Sequence, residues 1–112
     1  MKIDVLETQS GITKLVLSGR MDIQGAMTAD MTFSVTAGAK KKVVIDLSDV
    51  TFMAFLGLNT LMVSAKSMGN KGGKMVLLNP QPNVEKVLEI TGVSTVIPIV
   101  RDMQSAFALL VI

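Results

Sequence analysis

The chain has 112 residues, 49% hydrophobic and 18% charged, and eleven Lys+Arg against nine Asp+Glu leave a formal charge of +2. That is enough chain for one domain over residues 1–112 with a core that needs no staples. The absence of Cys and His excludes disulfides, thiolate metal sites, cysteine nucleophiles and Ser-His-Asp triads.

Residues 2–8 alternate in part, Gln9-Ser10-Gly11 reads as a turn, and the branched run 12–18 completes an antiparallel hairpin. Gly19-Arg20-Met21-Asp22 then breaks the strand, and the Asp22 carboxylate suits a helix cap. Ile23, Met27 and Met31 recur every four residues with Ala26 beside them, which predicts an amphipathic helix over 23–36 that leaves at Gly38. The continuous apolar run 43–47 fits a strand buried on both faces.

A second helix is expected from near Phe55. Leu58, Leu61, Met62, Ala65 and Met68 form its buried stripe, Asn59, Thr60, Ser64, Lys66 and Ser67 face outwards, and Gly69-Asn70 end it. Residues 74–78 read as another buried strand, and Asn79-Pro80-Gln81-Pro82 as a turn into a third helix. That helix carries Val84, Val87 and Leu88 and closes at Gly92. Residues 95–99 suit an edge strand because of Pro98. Asp102 caps a last helix through Phe107 and Leu110. The order ββαβαβαβα predicts an α/β fold: one mixed sheet of four to five strands, opened by an antiparallel hairpin, with about four helices.

Despite a mean hydropathy of +0.52, no apolar run nears the ~20 residues that span a bilayer. Lys2, Asp4 and Glu7 at the start do not suit a signal peptide. The expectation is a cytoplasmic chain with no membrane insertion. A charge of +2, without Trp or Tyr, is no nucleic-acid footprint.

Several patterns hint at chemistry. Gly69 to Met75 holds three glycines and two lysines, but it follows a helix and precedes a strand, the reverse of a phosphate loop. The run Lys40-Lys41-Lys42 reads as a solvated loop. Asp22 and Asp46, the latter read at a strand end near the second helix, are the best-placed carboxylates. Neither has a nucleophile or metal set beside it, so neither catalysis nor a cofactor is expected. The nine Met residues are read chiefly as core fillers, although Met53, Phe55 and Val63 would favour self-association if they formed one exposed patch.

Residues 43–57, VVIDLSDVTFMAFLG, together with Gly19-Arg20-Met21-Asp22 and the stretch GGKMVLLNPQPNVEKVLEITGV at 72–93, resemble the STAS family, the bacterial anti-sigma factor antagonists. The resemblance runs over essentially the whole chain. It implies the STAS fold and a role in transcription regulation through protein–protein contact. In the family, a Ser or Thr at the start of the second helix, within D-S-S-G or D-S-T-G, is phosphorylated by a serine kinase that doubles as the anti-sigma factor. The unmodified antagonist binds that kinase and releases the sigma factor. A helix N-terminus favours phosphate, and the added charge alters the partner surface.

This chain has Met53-Ala54-Phe55-Leu56-Gly57 there. Ala54 stands for the family's Asp, Phe55 for the phosphorylated hydroxyl and Leu56 for the second Ser or Thr. Phe has no hydroxyl, so phosphorylation at Phe55 is chemically impossible. The helix loses a cap that typically contributes about 1 kcal/mol and an acid at its positive end worth roughly 0.3–1 kcal/mol.

Phe55 is then either an exposed docking side chain or a core filler, while Leu56 is read as core. The partner-binding residues implied by the resemblance are Arg20, Met21, Asp22, Met53, Ala54, Phe55, Leu56, Gly57 and Asn59. The expected partner is a serine-kinase-type anti-sigma factor or a related regulator. Two alternatives stand beside it: a non-switching scaffold or homo-oligomeric component of a regulatory assembly, and a cytoplasmic subunit of a lipid transporter.

Overall fold

A computed structural model describes residues 1–8 and 10–111. Two antiparallel strands open the chain, β1 (Lys2–Glu7) and β2 (Thr13–Met21). Gln9 of the expected turn lies outside the described residues. Within that turn Gly11 adopts φ +76°, which a glycine reaches without steric cost.

Helix α1 (Ile23–Ala39) follows, then β3 (Lys42–Met53), α2 (Phe55–Gly69), β4 (Lys74–Leu78) and α3 (Pro82–Ile90). A 3-10 turn at Val93–Thr95, β5 (Ile99–Val100) and α4 (Met103–Val111) complete the chain. The sheet order is β1-β2-β3-β4-β5, and every pairing after the hairpin is parallel. This is the expected mixed five-stranded sheet with four helices.

The parallel strands β3 and β4 are buried on both faces, so their sequences read as unbroken apolar runs. On one face Leu15, Leu17, Val43, Ile45, Leu47 and Leu77 pack against α1, α2 and α3. On the other, Ile12, Val44, Val76 and Val100 pack against Ala106 and Leu110 of α4. Asp102 caps α4, accepting a bond from the Ser105 amide at 2.8 Å.

Four expectations need correction. Gly19 to Asp22 does not break the second strand. Pairing with β3 continues to Met21, taking up register irregularities around Ser18 and Gly19, so both strands run longer than 12–18 and 43–47. The third segment, 95–99, is a strand only at Ile99–Val100, because Val93–Thr95 coils into a 3-10 turn.

The buried side of α1 is reversed. Ala26, Ala29, Phe33 and Ala37 face the core, while Ile23, Met27 and Met31 are exposed, and Gly38 lies inside the helix. Small residues let α1 approach the sheet and α2 closely, and a row of methionines would hold it off. Finally, Thr60 and Ser64 are buried, because α2 packs on α1 as well as on the sheet. Thr60 satisfies its hydroxyl on its own helix, at the Leu56 carbonyl, 3.1 Å.

Candidate functional site

The C-terminal ends of β2 and β3 bring the starts of α1 and α2 side by side. Met21 lies opposite Met53 in the sheet, and the Ala54 amide donates to the Met21 carbonyl at 2.8 Å. Two glycines bring the helices onto these strand ends. A Cβ on Gly25 would fall 2.3 Å from the Arg20 carbonyl oxygen. One on Gly57 would fall 2.5 Å from Met21 Cγ and 2.8 Å from Met53 Sδ.

The first helix start is capped. Asp22 Oδ1 accepts from the Gly25 amide at 2.8 Å, and Oδ2 lies 3.7 Å from Arg20 Nε. That ion pair is largely exposed, so it stabilises little. The Arg20 guanidinium sits 4.4 Å from the centre of the Phe52 ring, a cation–π contact across the β2–β3 pairing.

The second helix start is bare. Ala54 holds the extended cap backbone, φ −87° and ψ 167°, but offers no side-chain acceptor, and the first turn has no acid. Phe55 is the first helical residue and is 81% exposed, so of its two readings the core filler is excluded. Leu56 is half-buried and packs against the core, close to its expected place. Leu56, Asn59 and Thr60 line a shallow hollow with Ala26, Met27 and Asp30 of α1.

The nine candidate residues therefore divide by depth. Arg20, Asp22, Ala54, Phe55, Leu56 and Asn59 reach the surface around the two helix starts. Met21, Met53 and Gly57 are buried beneath it and act as its support. The patch of Met53, Phe55 and Val63 does not form as one surface, because Met53 is 5% exposed. Phe52, against Arg20, and Met27, in the hollow, lie beside these residues without being among the nine. Phe52 shows its place only once the β2–β3 register is known, and Met27 only once the exposed side of α1 is known.

Asp46 is not at a strand end. It lies within β3, where Lys14 Nζ is 3.6 Å from Oδ2 and the Ser48 amide donates to Oδ1 at 3.0 Å, a structural role. Lys40 of the basic run pairs with Glu7 at 3.4 Å. Among the described residues no group of three His, Cys, Asp or Glu side chains gathers as a metal site, and no helix is long and apolar enough to cross a membrane.

The comparisons with known proteins agree with this fold. Residues 5–106 match the STAS domain family profile. The chain is 28% identical over 82 residues to BtrV of Bordetella bronchiseptica, a protein named for an anti-sigma factor antagonist role, covering 73% of this chain and 70% of that one. It is 25% identical over 96 residues to the anti-sigma F factor antagonist of Paenibacillus polymyxa, covering 84% and 82%. A crystal structure from Thermotoga maritima, named for the same role, superposes with a TM-score of 0.90 at 20% identity, over 98% of this chain and 95% of that one. The chain belongs to the STAS domain family.

Proposed function

We propose that this protein is a non-enzymatic, cytoplasmic regulator of the anti-sigma factor antagonist type. It docks through Arg20, Asp22, Ala54, Phe55, Leu56 and Asn59 onto a serine-kinase-type anti-sigma factor, with Met21, Met53 and Gly57 holding that surface in shape. The carrying observation is Phe55, an aromatic ring 81% exposed at the first position of α2. An exposed ring of this kind is the type of side chain that anchors an interface when a pocket takes it up. The Arg20–Phe52 pair, near the ends of β2 and β3, adds a second aromatic and a cation, both enriched at interfaces. The anti-sigma factor antagonist names of the BtrV and Paenibacillus polymyxa relatives support the partner class.

The docking is insensitive to phosphorylation at the start of α2, because Ala54, Phe55 and Leu56 carry no hydroxyl. Of the neighbouring hydroxyls, Thr60 is buried and Thr51 is exposed, so Thr51 is the residue to watch. The test is a tagged pull-down from the native host with and without ATP, read by mass spectrometry. The expected result is a serine-kinase-type anti-sigma factor, retained with ATP and lost on Phe55→Asp, with no phosphopeptide from residues 51–60. Recovery of transporter subunits instead, or of no kinase, overturns this reading.

A further inference from the structure

Helix α1 is apolar on two sides and the fold covers one of them. Ala26, Ala29, Phe33 and Ala37 pack on the core. On the opposite side Ile23, Met27, Met31 and Val35 recur every four residues, and all four are 65–76% exposed. Asp30 is the one charged residue among the seventeen of α1. A surface helix ordinarily places charge opposite its core face, and a helix apolar all round is a buried helix. We infer that a second copy of this chain covers that side, the two α1 helices lying antiparallel across a two-fold axis near Met31.

Four such side chains leave roughly 500 Å² open per copy, so an isologous contact that covers all of them closes on the order of 1,000 Å², the threshold for a biological interface. The stripe is also complementary to itself. Centring on Met31 sets Met27 against Val35 of the second copy, and Ile23 against its Gly38 and Ala39, large against small. A Cβ on Gly38 would have only Lys71 Nζ within 4 Å, so the space above it is open to a neighbouring helix.

Val5, Met31, Val35 and Ala39, with Glu7 and Lys40 also in the lining, form a hollow between α1 and β1 whose apolar part suits an incoming methionine. Charge lies at the margins of the stripe. Asp30 lines the same hollow as Met27 on the flank turned towards α2, Glu7 and Lys40 pair with each other beside Met31 and Val35, and the antiparallel arrangement opposes the two helix dipoles.

Sedimentation velocity on the full chain, over a dilution series, tests this directly. The expected mass is about twice 11.9 kDa, falling towards the monomer on dilution. Met31→Lys is expected to be monomeric throughout with an unchanged melting temperature, since Met31 is 76% exposed and supports no core. In this Cys-free chain, Met31→Cys is expected to give a dimer with a short bis-maleimide, whereas Ile90→Cys, equally exposed on α3, is not. A monomer at every concentration overturns the inference. So does a dimer that survives Met31→Lys, or one abolished by Phe55→Ser alone, which would move self-association to the start of α2. None of these outcomes depends on whether a kinase is captured through Phe55.

Discussion

Gly57 shows how little room the start of α2 has. An added Cβ would meet Met21 Cγ, Met53 Sδ and, at 3.2 Å, the Met21 carbonyl oxygen. Met21 is fully buried, so its side chain has nowhere to swing. Gly57→Ala is expected to destabilise by about 1–3 kcal/mol, in the range of an overpacked core, measured as a lower urea midpoint at unchanged slope. Ala54 offers the opposite opportunity, because its backbone already has the cap conformation. Ala54→Asp is expected to stabilise by about 1 kcal/mol through the cap bond and the helix dipole, read as a rise of a few degrees in melting temperature. The bare cap is legible in the sequence as a missing Asp. The exposure of Phe55 is not, because a phenyl ring at a helix start packs equally well inwards or outwards until the neighbouring strand ends are placed.

At the scale of elements, α1 carries the clearest lesson. Ile23, Met27 and Met31 share one four-residue spacing, and Ala29, Phe33 and Ala37 share another. Periodicity marks a helix in both cases and does not rank the two sides. Packing ranks them, since the alanines allow the close approach and Phe33 fills the space beneath. Phe33→Ala is therefore expected to cost about 3–5 kcal/mol as a core truncation, while Met31→Ala on the opposite side changes monomer stability by no more than about 0.5 kcal/mol. Chemical denaturation at a concentration where the protein is monomeric checks both. Equal effects would mean that α1 is turned differently about its axis.

At the scale of the whole molecule, stability is expected to fall in acid in part through two carboxylates, Glu85 and Asp102. The Arg101 guanidinium beside Glu85 bonds its carboxylate and holds its pKa below the usual value, tying α3 to the segment before α4. Asp102 is held low by its bonds to Ser105 at the start of α4. A carboxylate with a depressed folded-state pKa contributes stability above its unfolded value and loses it as pH falls through the folded one. Stability is therefore expected to hold from neutral pH down to the ordinary carboxylate range near pH 4 and to decline below it. Arg101→Gln should flatten the part owed to Glu85, and thermal melts from pH 7 to about pH 2.5 measure both. A steeper acid decline in Arg101→Gln would show that the pair does not lower the Glu85 pKa.

The sequence by itself determined the order of elements, the parallel core strands 43–47 and 74–78, the caps at Asp22 and Asp102, and the absence of a hydroxyl at residues 54–56. These depend on local chemistry: backbone preferences, side-chain acceptors and unbroken apolar runs of strand length. Tertiary structure alone decided how far β2 and β3 extend, which side of α1 is covered, that Met21 and Met53 lie under the site while Phe55 stands out of it, and that Asp46 pairs with Lys14. Each of those depends on residues distant in sequence meeting in one place, and the volume available there is set by the neighbouring elements.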